Sequence, residues 1–370
     1  MSASNSKLTI DLRAIASNWS SLNSLSGTAA CAAVVKADAY GLGVQRVADT
    51  LWAAGCREFF VATVQEGEQL RACLPVDATI YILSGFFDGE VQRCLASRLT
   101  PVIVSLPMLE QWSALDAAAV APVALKIDTG MGRFGLSLSE FDLLLAEPSV
   151  LANLNVTVVM SHLACADEPD HPLNTLQLDR FSLIKQTLGP LLPAARFSLA
   201  NSAGIRLGSE YHFDLVRPGI ALYGGRQADG GQEFAPSPVM SAVVGLMLKV
   251  VQVRTMLEGE SVGYGATYKA YAGQRIATTA GGYADGIFRS LSNSGAGYCG
   301  STRVPMVGRV SMDSMAFDVS KVNEVSLQGV FVELLGEHQG IDELALAAGT
   351  TSYEVLTSLG ERFHRVYVEG

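Results

Sequence analysis

Positive charge is in short supply in this chain: 26 Lys and Arg stand against 36 Asp and Glu, a formal net charge of −10. Sequence-independent binding to nucleic acid needs surplus cations, so nucleic acid is not an expected partner. Long apolar runs are also missing. The longest, Val239 to Leu248, falls well short of the roughly 20 residues that cross a bilayer. Residues 1–9 hold no apolar signal core, so a cytoplasmic protein with no membrane partner is expected. Cysteine is sparse and scattered at Cys31, Cys56, Cys73, Cys94, Cys165 and Cys299, with no CxxC pair. That spacing argues against a zinc site or a disulfide framework and for reduced thiols. Internal repeats and low-complexity tracts of useful length are absent too.

What is present is ample material for cores: 370 residues, 49% of them apolar. The stretch from Gly224 to Pro238, GGRQADGGQEFAPSP, lacks any apolar periodicity and reads as a linker. It divides the chain into residues 1–230 and 238–370. Before it, eight short apolar runs begin near Cys31, Phe59, Thr79, Pro101, Val123, Val156, Arg196 and Asp214, the last extending to Tyr223. Helical patterns separate them, for example Val44, Val47, Ala48, Leu51 and Trp52 closing on Gly55. Eight such units predict an N-terminal (β/α)8 TIM-type barrel, an α/β fold with parallel strands. After the linker, glycine-punctuated runs at Val239–Arg254, 275–279, 303–307, 315–319 and 329–335 predict a mainly β C-terminal domain. Helical segments at 341–347 and 352–359 complete it.

A barrel presents its chemistry on the loops after its strands. Lys36 ends the first strand, Lys126 and Arg133 bracket the end of the fifth, and Ser161 and His162 end the sixth. Asn201 and Ser202 follow the seventh, and Arg217 to Gly224 lie in the eighth. A lysine at a strand end is ordinarily a solvated cation. Among apolar and cationic neighbours it loses its proton more easily, which suits it to form a Schiff base with an aldehyde cofactor. The Ser202 hydroxyl, with backbone donors near Gly204 and Gly219, sits where barrels bind phosphate, although both glycine motifs also suit plain tight turns. An amine beside a phosphate pocket points to pyridoxal phosphate.

The chain resembles the bacterial alanine racemases along essentially its whole length. The resemblance is carried by VVKADAYG around Lys36, KIDTGMGRFG around Arg133, SHLACAD around His162, ANSAG around Ser202, RPGIALYG around Arg217, GYGATY around Tyr264, GYADG around Tyr283 and GRVSMD around Met312 and Asp313. It implies a homodimer with shared active sites that interconverts L- and D-alanine with bound pyridoxal 5'-phosphate. Lys36 would carry the cofactor and act as one base, Tyr264 as the opposite base, and Arg217 would pair with the pyridine nitrogen. Tyr40, Ser202, Gly219 and Ile220 would hold the phosphate, with His162, Asn201 and Tyr353 around the cofactor. Arg133, Met312 and Tyr283 would meet substrate, and Lys126 and Asp313 would support them, Lys126 as a carbamate.

Inverting an α carbon takes two proton carriers on opposite faces of a planar centre, which an amine and a phenol can supply. A free tyrosine titrates near pH 10, so Tyr264 needs tuning by its surroundings, with Arg133 and His162 as candidates. Tyr268, Tyr283 and Tyr353 are candidates for a narrow entrance. An arginine can only donate to the ring nitrogen, which argues against a decarboxylase of basic amino acids, an enzyme that presents an acid there. A non-catalytic pyridoxal-phosphate carrier needs no second domain. The family's usual AYGHG is altered by Leu42 at the His position, which removes a hydrogen bond near the phosphate end.

Overall fold

A computed structural model describes residues 6–116, 120–225, 240–323 and 330–369. The expected linker runs mostly through 226–239, outside the described residues. The first strand, β1 (Lys7–Asp11), leads straight into a helix, Leu12–Leu25, whose start is capped by the Asp11 carboxylate. The barrel then begins with β2 (Ala30–Cys31) and β3 (Ala33–Val34), two halves of one staggered strand. It continues through β4 (Glu58–Val61), β5 (Thr79–Ile82), β6 (Thr100–Ile103), β7 (Pro122–Lys126), β8 (Asn155–Met160), β9 (Arg196–Ser198) and β10 (Leu215–Val216).

Strands β3 to β9 pair in parallel and in sequence order. Closure comes through β10, which pairs in parallel with β2 and meets the end of β9 at an Asn201–Arg217 bridge. These strands are almost wholly buried, as parallel strands covered by helices must be. The eighth run is shorter as a strand than the sequence suggested. Pro218 and Gly219 end the ladder, because proline offers no N–H, and Ile220–Tyr223 turns into a 3-10 helix. The floor of the barrel is tied by Arg196, which donates to both Glu58 oxygens at 2.7 and 2.5 Å.

The second part is built on a long strand, β11 (Val244–Thr255), with the hairpin β12 (Ser261–Val262) and β13 (Tyr268–Lys269), then β14 (Arg275–Ala280), β15 (Ala296–Cys299), β16 (Thr302–Pro305), β17 (Ser314–Asp318), β18 (Phe331–Leu335) and β19 (His364–Val368). Its sheet is not made of C-terminal residues alone. Strand β1 lies between β11, to which it is antiparallel, and β19, to which it is parallel. Residues 7–11 therefore leave the barrel half to which the sequence division assigned them, because Leu8 and Ile10 bury completely in this sheet. No helix among the described residues is long and apolar enough to cross a membrane.

Candidate active site

Lys36 stands two residues past the end of β3 at the barrel mouth, and the chain after it takes an unusual course. Ala37, Asp38, Ala39 and Tyr40 all have φ between 52° and 57°, a full left-handed turn made without glycine. Such residues cost roughly 1–2 kcal/mol each, so the surroundings must hold the turn. The Ala37 N–H donates to Glu66 Oε1 at 2.8 Å, and the Val44 N–H to Asp38 Oδ1 at 2.7 Å. From the other domain, Arg365 Nη1 donates to the Gly41 carbonyl at 2.6 Å and the Tyr367 hydroxyl to that of Leu42 at 3.0 Å. Leu42, the departure from AYGHG, is fully buried in the core. Burial and then the charge of Arg133 lower the proton affinity of Lys36, against the opposing pull of Glu66.

Three further cations face the same mouth. Lys126 closes β7 and is buried, and its pKa falls to about 8 through burial followed by the charges of Arg217 and Arg133. Arg217, 3% exposed, is pushed down to about 9 by burial and stays protonated at neutral pH. Its Nη1 donates to Ser198 Oγ, and its Nη2 to the carbonyls of Ser161 at 2.6 Å and Leu199 at 3.3 Å. None of these bonds uses Nε. Nη2 also lies 3.4 Å from His162 Nδ1. Burial, reinforced by all four cations, holds His162 well below its ordinary pKa, so it is neutral and accepts from Arg217. Its bonded partner is thus Arg217, whereas the sequence suggested a role beside Tyr264. Arg133 rides an exposed loop wound around Asp128. Against the upward pull of burial, the N–H groups of Gly130, Met131 and Gly132, at 2.8, 2.8 and 2.7 Å, keep that carboxyl ionised. Lys36, Lys126, Arg133 and Arg217 form no ion pair among the described residues. A cluster of four cations in that condition is prepared for anions.

The phosphate-binding prediction meets a formed cradle. Ser202 Oγ accepts the N–H of Gly219 at 2.8 Å and of Ala221 at 3.3 Å, which leaves its own proton free to donate. Ile220 lies between these donors, and Asn201 Oδ1 accepts the Gly204 N–H at 2.9 Å, fixing the ANSAG turn. Tyr40 closes the other side. A Cβ on Gly219 would overlap the Tyr40 hydroxyl oxygen and lie 3.2 Å from its Cζ, so glycine is required there. The Tyr40 ring packs, tilted by 36°, with its centroid 4.7 Å from that of Tyr223 and 5.9 Å from that of Tyr353. Burial raises its pKa and keeps it protonated, yet its hydroxyl has no hydrogen-bond partner among the described residues. A buried, protonated donor without a partner, beside free donors on Ser202, suits a bound oxyanion.

The remaining candidates gather elsewhere, on one group of loops in the β domain. Tyr264 sits at the tip of the β12–β13 hairpin, 72% exposed. Gly263 before it packs beside the backbone of Arg309. The Tyr283 and Ala284 N–H groups donate to the carbonyls of Ser311 and Met312, both at 3.0 Å. Met312 and Tyr283 are 52% and 44% exposed. Arg362 clamps both loops, with Nε on Asp285 Oδ1 at 2.6 Å, Nη2 on Asp285 Oδ2 at 2.7 Å and Nη1 on Asp313 Oδ1 at 2.8 Å. Among the described residues no hydrogen bond or ring contact joins Tyr264, Tyr283 or Met312 to the barrel-mouth group. Tyr268, one of the entrance candidates, points instead to Gln274, whose Nε2 donates to its hydroxyl at 2.7 Å. Of the site candidates in the β domain, Tyr353 does reach the mouth, through its ring contact with Tyr40.

Glu66, Asp128, Asp285 and Arg362 were not singled out by the sequence reading. A signal existed for two of them: Glu66 stands three residues after Thr63 as a capping box, and Asp128 opens a DTGMG turn.

With this geometry in view, the comparisons with known proteins are direct. Residues 10–227 match the family model described as alanine racemase, N-terminal domain, and residues 243–367 that of the C-terminal domain. The alanine racemase of Brucella abortus is 46% identical over 98% of this chain and 93% of its own. That of Rhodospirillum rubrum is 49% identical over 97% and 95%. The crystal structure of alanine racemase from Bartonella henselae with covalently bound pyridoxal phosphate superimposes with a TM-score of 0.91 at 37% identity, covering 98% of this chain and 99% of that one. The biosynthetic alanine racemase of Pseudomonas aeruginosa gives 0.88 at 34% identity, covering 99% of each. The chain belongs to the alanine racemase family.

Proposed function

We propose that this protein interconverts L- and D-alanine with pyridoxal 5'-phosphate. The observation that carries the reading is the barrel mouth itself, where a nucleophilic amine of lowered proton affinity stands among cations without ion pairs and beside an uncommitted phosphate cradle. These residues fit the cofactor. Lys36 would hold its aldehyde carbon, and Tyr40, Ser202, Gly219 and Ile220 its phosphate. Arg217, whose bonds to the barrel run through Nη1 and Nη2 and leave Nε uncommitted among the described residues, would donate to its ring nitrogen. When bound, the cofactor would supply an electron sink for the α carbon, loosening the α proton.

The chain's residues supply the proton handling. Lys36 Nζ takes or returns the α proton on one face, and the Tyr264 hydroxyl does so on the other. Neutral His162 steadies Arg217, which remains a fixed donor and never accepts a ring proton. That restraint favours return of the proton to the α carbon over transfer elsewhere. Lys126, with its pKa near 8, has enough neutral amine to take up carbon dioxide, and the resulting carbamate would orient Arg133. Arg133, Met312 and Tyr283 would face the substrate, with Asp313 and Tyr353 supporting.

A phenol that acts as a base works best sheltered from water, yet Tyr264 is largely exposed in a single chain, as are Met312 and Tyr283. We place it over the mouth of a second copy, in a homodimer whose two sites are each made from the barrel part (1–230) of one subunit and the β part (238–370) of the other. The protein would work in the cytoplasm, supplying D-alanine for peptidoglycan or feeding alanine catabolism. The relatives' shared name supports racemisation over decarboxylation or a carrier role. Mixing a Lys36→Ala chain with a Tyr264→Phe chain tests the shared site. Partial recovery of alanine racemisation is expected, and two inactive parents that stay inactive together refute it.

A further inference from the structure

Both oxygens of the Glu66 carboxylate are committed, and to different loops. Oε2 accepts the N–H of Ala62 at 2.7 Å and of Thr63 at 3.4 Å, and the Thr63 hydroxyl accepts the Glu66 N–H at 3.3 Å. That is a capping box for the helix Val64–Cys73, and it needs one oxygen only. Oε1 reaches to the neighbouring loop and accepts the Ala37 N–H at 2.8 Å. Ala37 follows Lys36 and is the first of the four left-handed residues that end at Tyr40. The helix that carries Glu66 cannot slide to follow a displaced turn. A Cβ on Gly67 would fall 2.6 Å from Ile82 Cδ1 and 2.9 Å from Leu99 Cδ1, so the helix is seated directly on the sheet.

The charge matters as well as the bond. Arg133 from the loop after β7, Lys126 at the end of β7 and His162 after β8 are the groups electrostatically coupled to Lys36 from strands farther around the barrel. Glu66 is the anion set against them.

We propose that Glu66 is a positioning residue for Lys36: it buckles the loop after β3 to the loop after β4 and so aims the amine into the barrel mouth. The proposal rests on the reading of Lys36 as the cofactor-binding amine. It gives one carboxylate two tasks, a cap that a glutamine could share and a cross-loop bond that it could not keep at the same time. Glutamine has one acceptor oxygen, so its amide would confront either the cap or the Ala37 N–H donor to donor.

The test follows capture of added pyridoxal phosphate by the full-length chain after the cofactor has been stripped, read by visible absorbance from about pH 6 to about pH 10. Thr63→Ala, which weakens the cap alone, lowers the melting temperature and leaves capture as in the unaltered chain. Glu66→Gln lowers the maximal capture rate by about tenfold or more. It also moves the pH midpoint about half a unit or more toward acid, because Lys36 loses a stabilising anion. Glu66→Asp keeps the charge and loses the reach, so its rate falls while its midpoint holds. A Glu66→Gln chain whose rate and midpoint match Thr63→Ala overturns the proposal. If Glu66→Gln does not fold, an unchanged capture rate in Glu66→Asp overturns it. A chain that captures the cofactor at Lys36 and leaves alanine's handedness unaltered refutes the racemase reading alone, and the capture data then decide the role of Glu66.

Discussion

Replacing Tyr40 by Phe removes a buried hydroxyl that has no protein partner among the described residues, so the cofactor-free chain has little to lose. Its unfolding free energy is expected to stay within about 0.5 kcal/mol of the parent, since no hydrogen bond is broken and no void is opened. The loaded protein behaves differently. A hydrogen bond to a phosphate oxygen contributes about 1.5–3 kcal/mol, which predicts a rise of about 10- to 150-fold in the pyridoxal-phosphate dissociation constant. Gly219→Ala tests the same contact from the other side. Its new Cβ overlaps the Tyr40 oxygen, and the ring is held between Tyr223 and Tyr353, so overpacking costs about 1–3 kcal/mol. In a Tyr40→Phe background the nearest ring atom is Cζ at 3.2 Å, which a small shift relieves. The unusual backbone of Gly219, φ −123° and ψ −92°, penalises alanine equally in both backgrounds and cancels. A double-mutant cycle by denaturant unfolding of the cofactor-free chain should give a coupling of at least about 1 kcal/mol. Strict additivity, or a Tyr40→Phe chain that is itself much less stable, refutes the picture of a hydroxyl reserved for the phosphate.

Other perturbations probe other parts of the site. Arg217→Glu places an acid where only a donor stood, so ring protonation and side transamination should rise relative to racemisation; unchanged partitioning between the two products counts against the assigned role. Lys126→Met, measured in carbon-dioxide-free buffer near pH 7 without cofactor, should raise stability by about 1–3 kcal/mol by removing an uncompensated buried cation. The pH dependence has a definite sign. With a folded pKa near 8 against an ordinary 10.5, the unfolded chain binds more protons between those values, so Lys126 makes the parent gain stability as pH rises through that window. The variant's advantage should therefore shrink from pH 8 to 10.5, and an advantage independent of pH removes the argument. Arg362→Ala frees the Asp285 and Asp313 loops together and should raise KM for alanine more than it lowers kcat, with partial recovery in Arg362→Lys.

The barrel was legible because its strands lie in short, predominantly apolar runs, and the mouth was legible because Lys36, Ser202 and Arg217 interrupt such runs with polar groups at their ends. Strands β1, β12, β13, β15 and β19 were not. Lys7–Asp11 and His364–Val368 are short, and each pairs with residues more than two hundred positions away, a relation that local periodicity cannot express. The run from Asp214 to Tyr223 misled for the opposite reason: its apolar residues are buried as a turn, and burial alone does not reveal the period. The work of Glu66 and Arg362 was hidden for a third reason. Their partners are backbone or acidic groups on other loops, and a charged residue in a helix or connection looks like any solvated one until the fold brings those groups to it.

The placement of β1 has a bearing on how the molecule can be taken apart. A strand from the opening segment sits between β11 and the edge strand β19 of a sheet otherwise drawn from residues beyond 240, so cutting the connection between the two matched regions yields no self-sufficient halves. A fragment starting near residue 240 would keep β11 and β19 with a one-strand gap between them and two rows of unsatisfied backbone groups. Supplying residues 6–11 in trans is the minimal way to make that fragment whole, because β1 runs parallel to β19 and a direct fusion after residue 369 could not turn back to its place. During synthesis β1 can pair with β11 as soon as that strand emerges, but its other edge stays open until β19, the last strand, has followed.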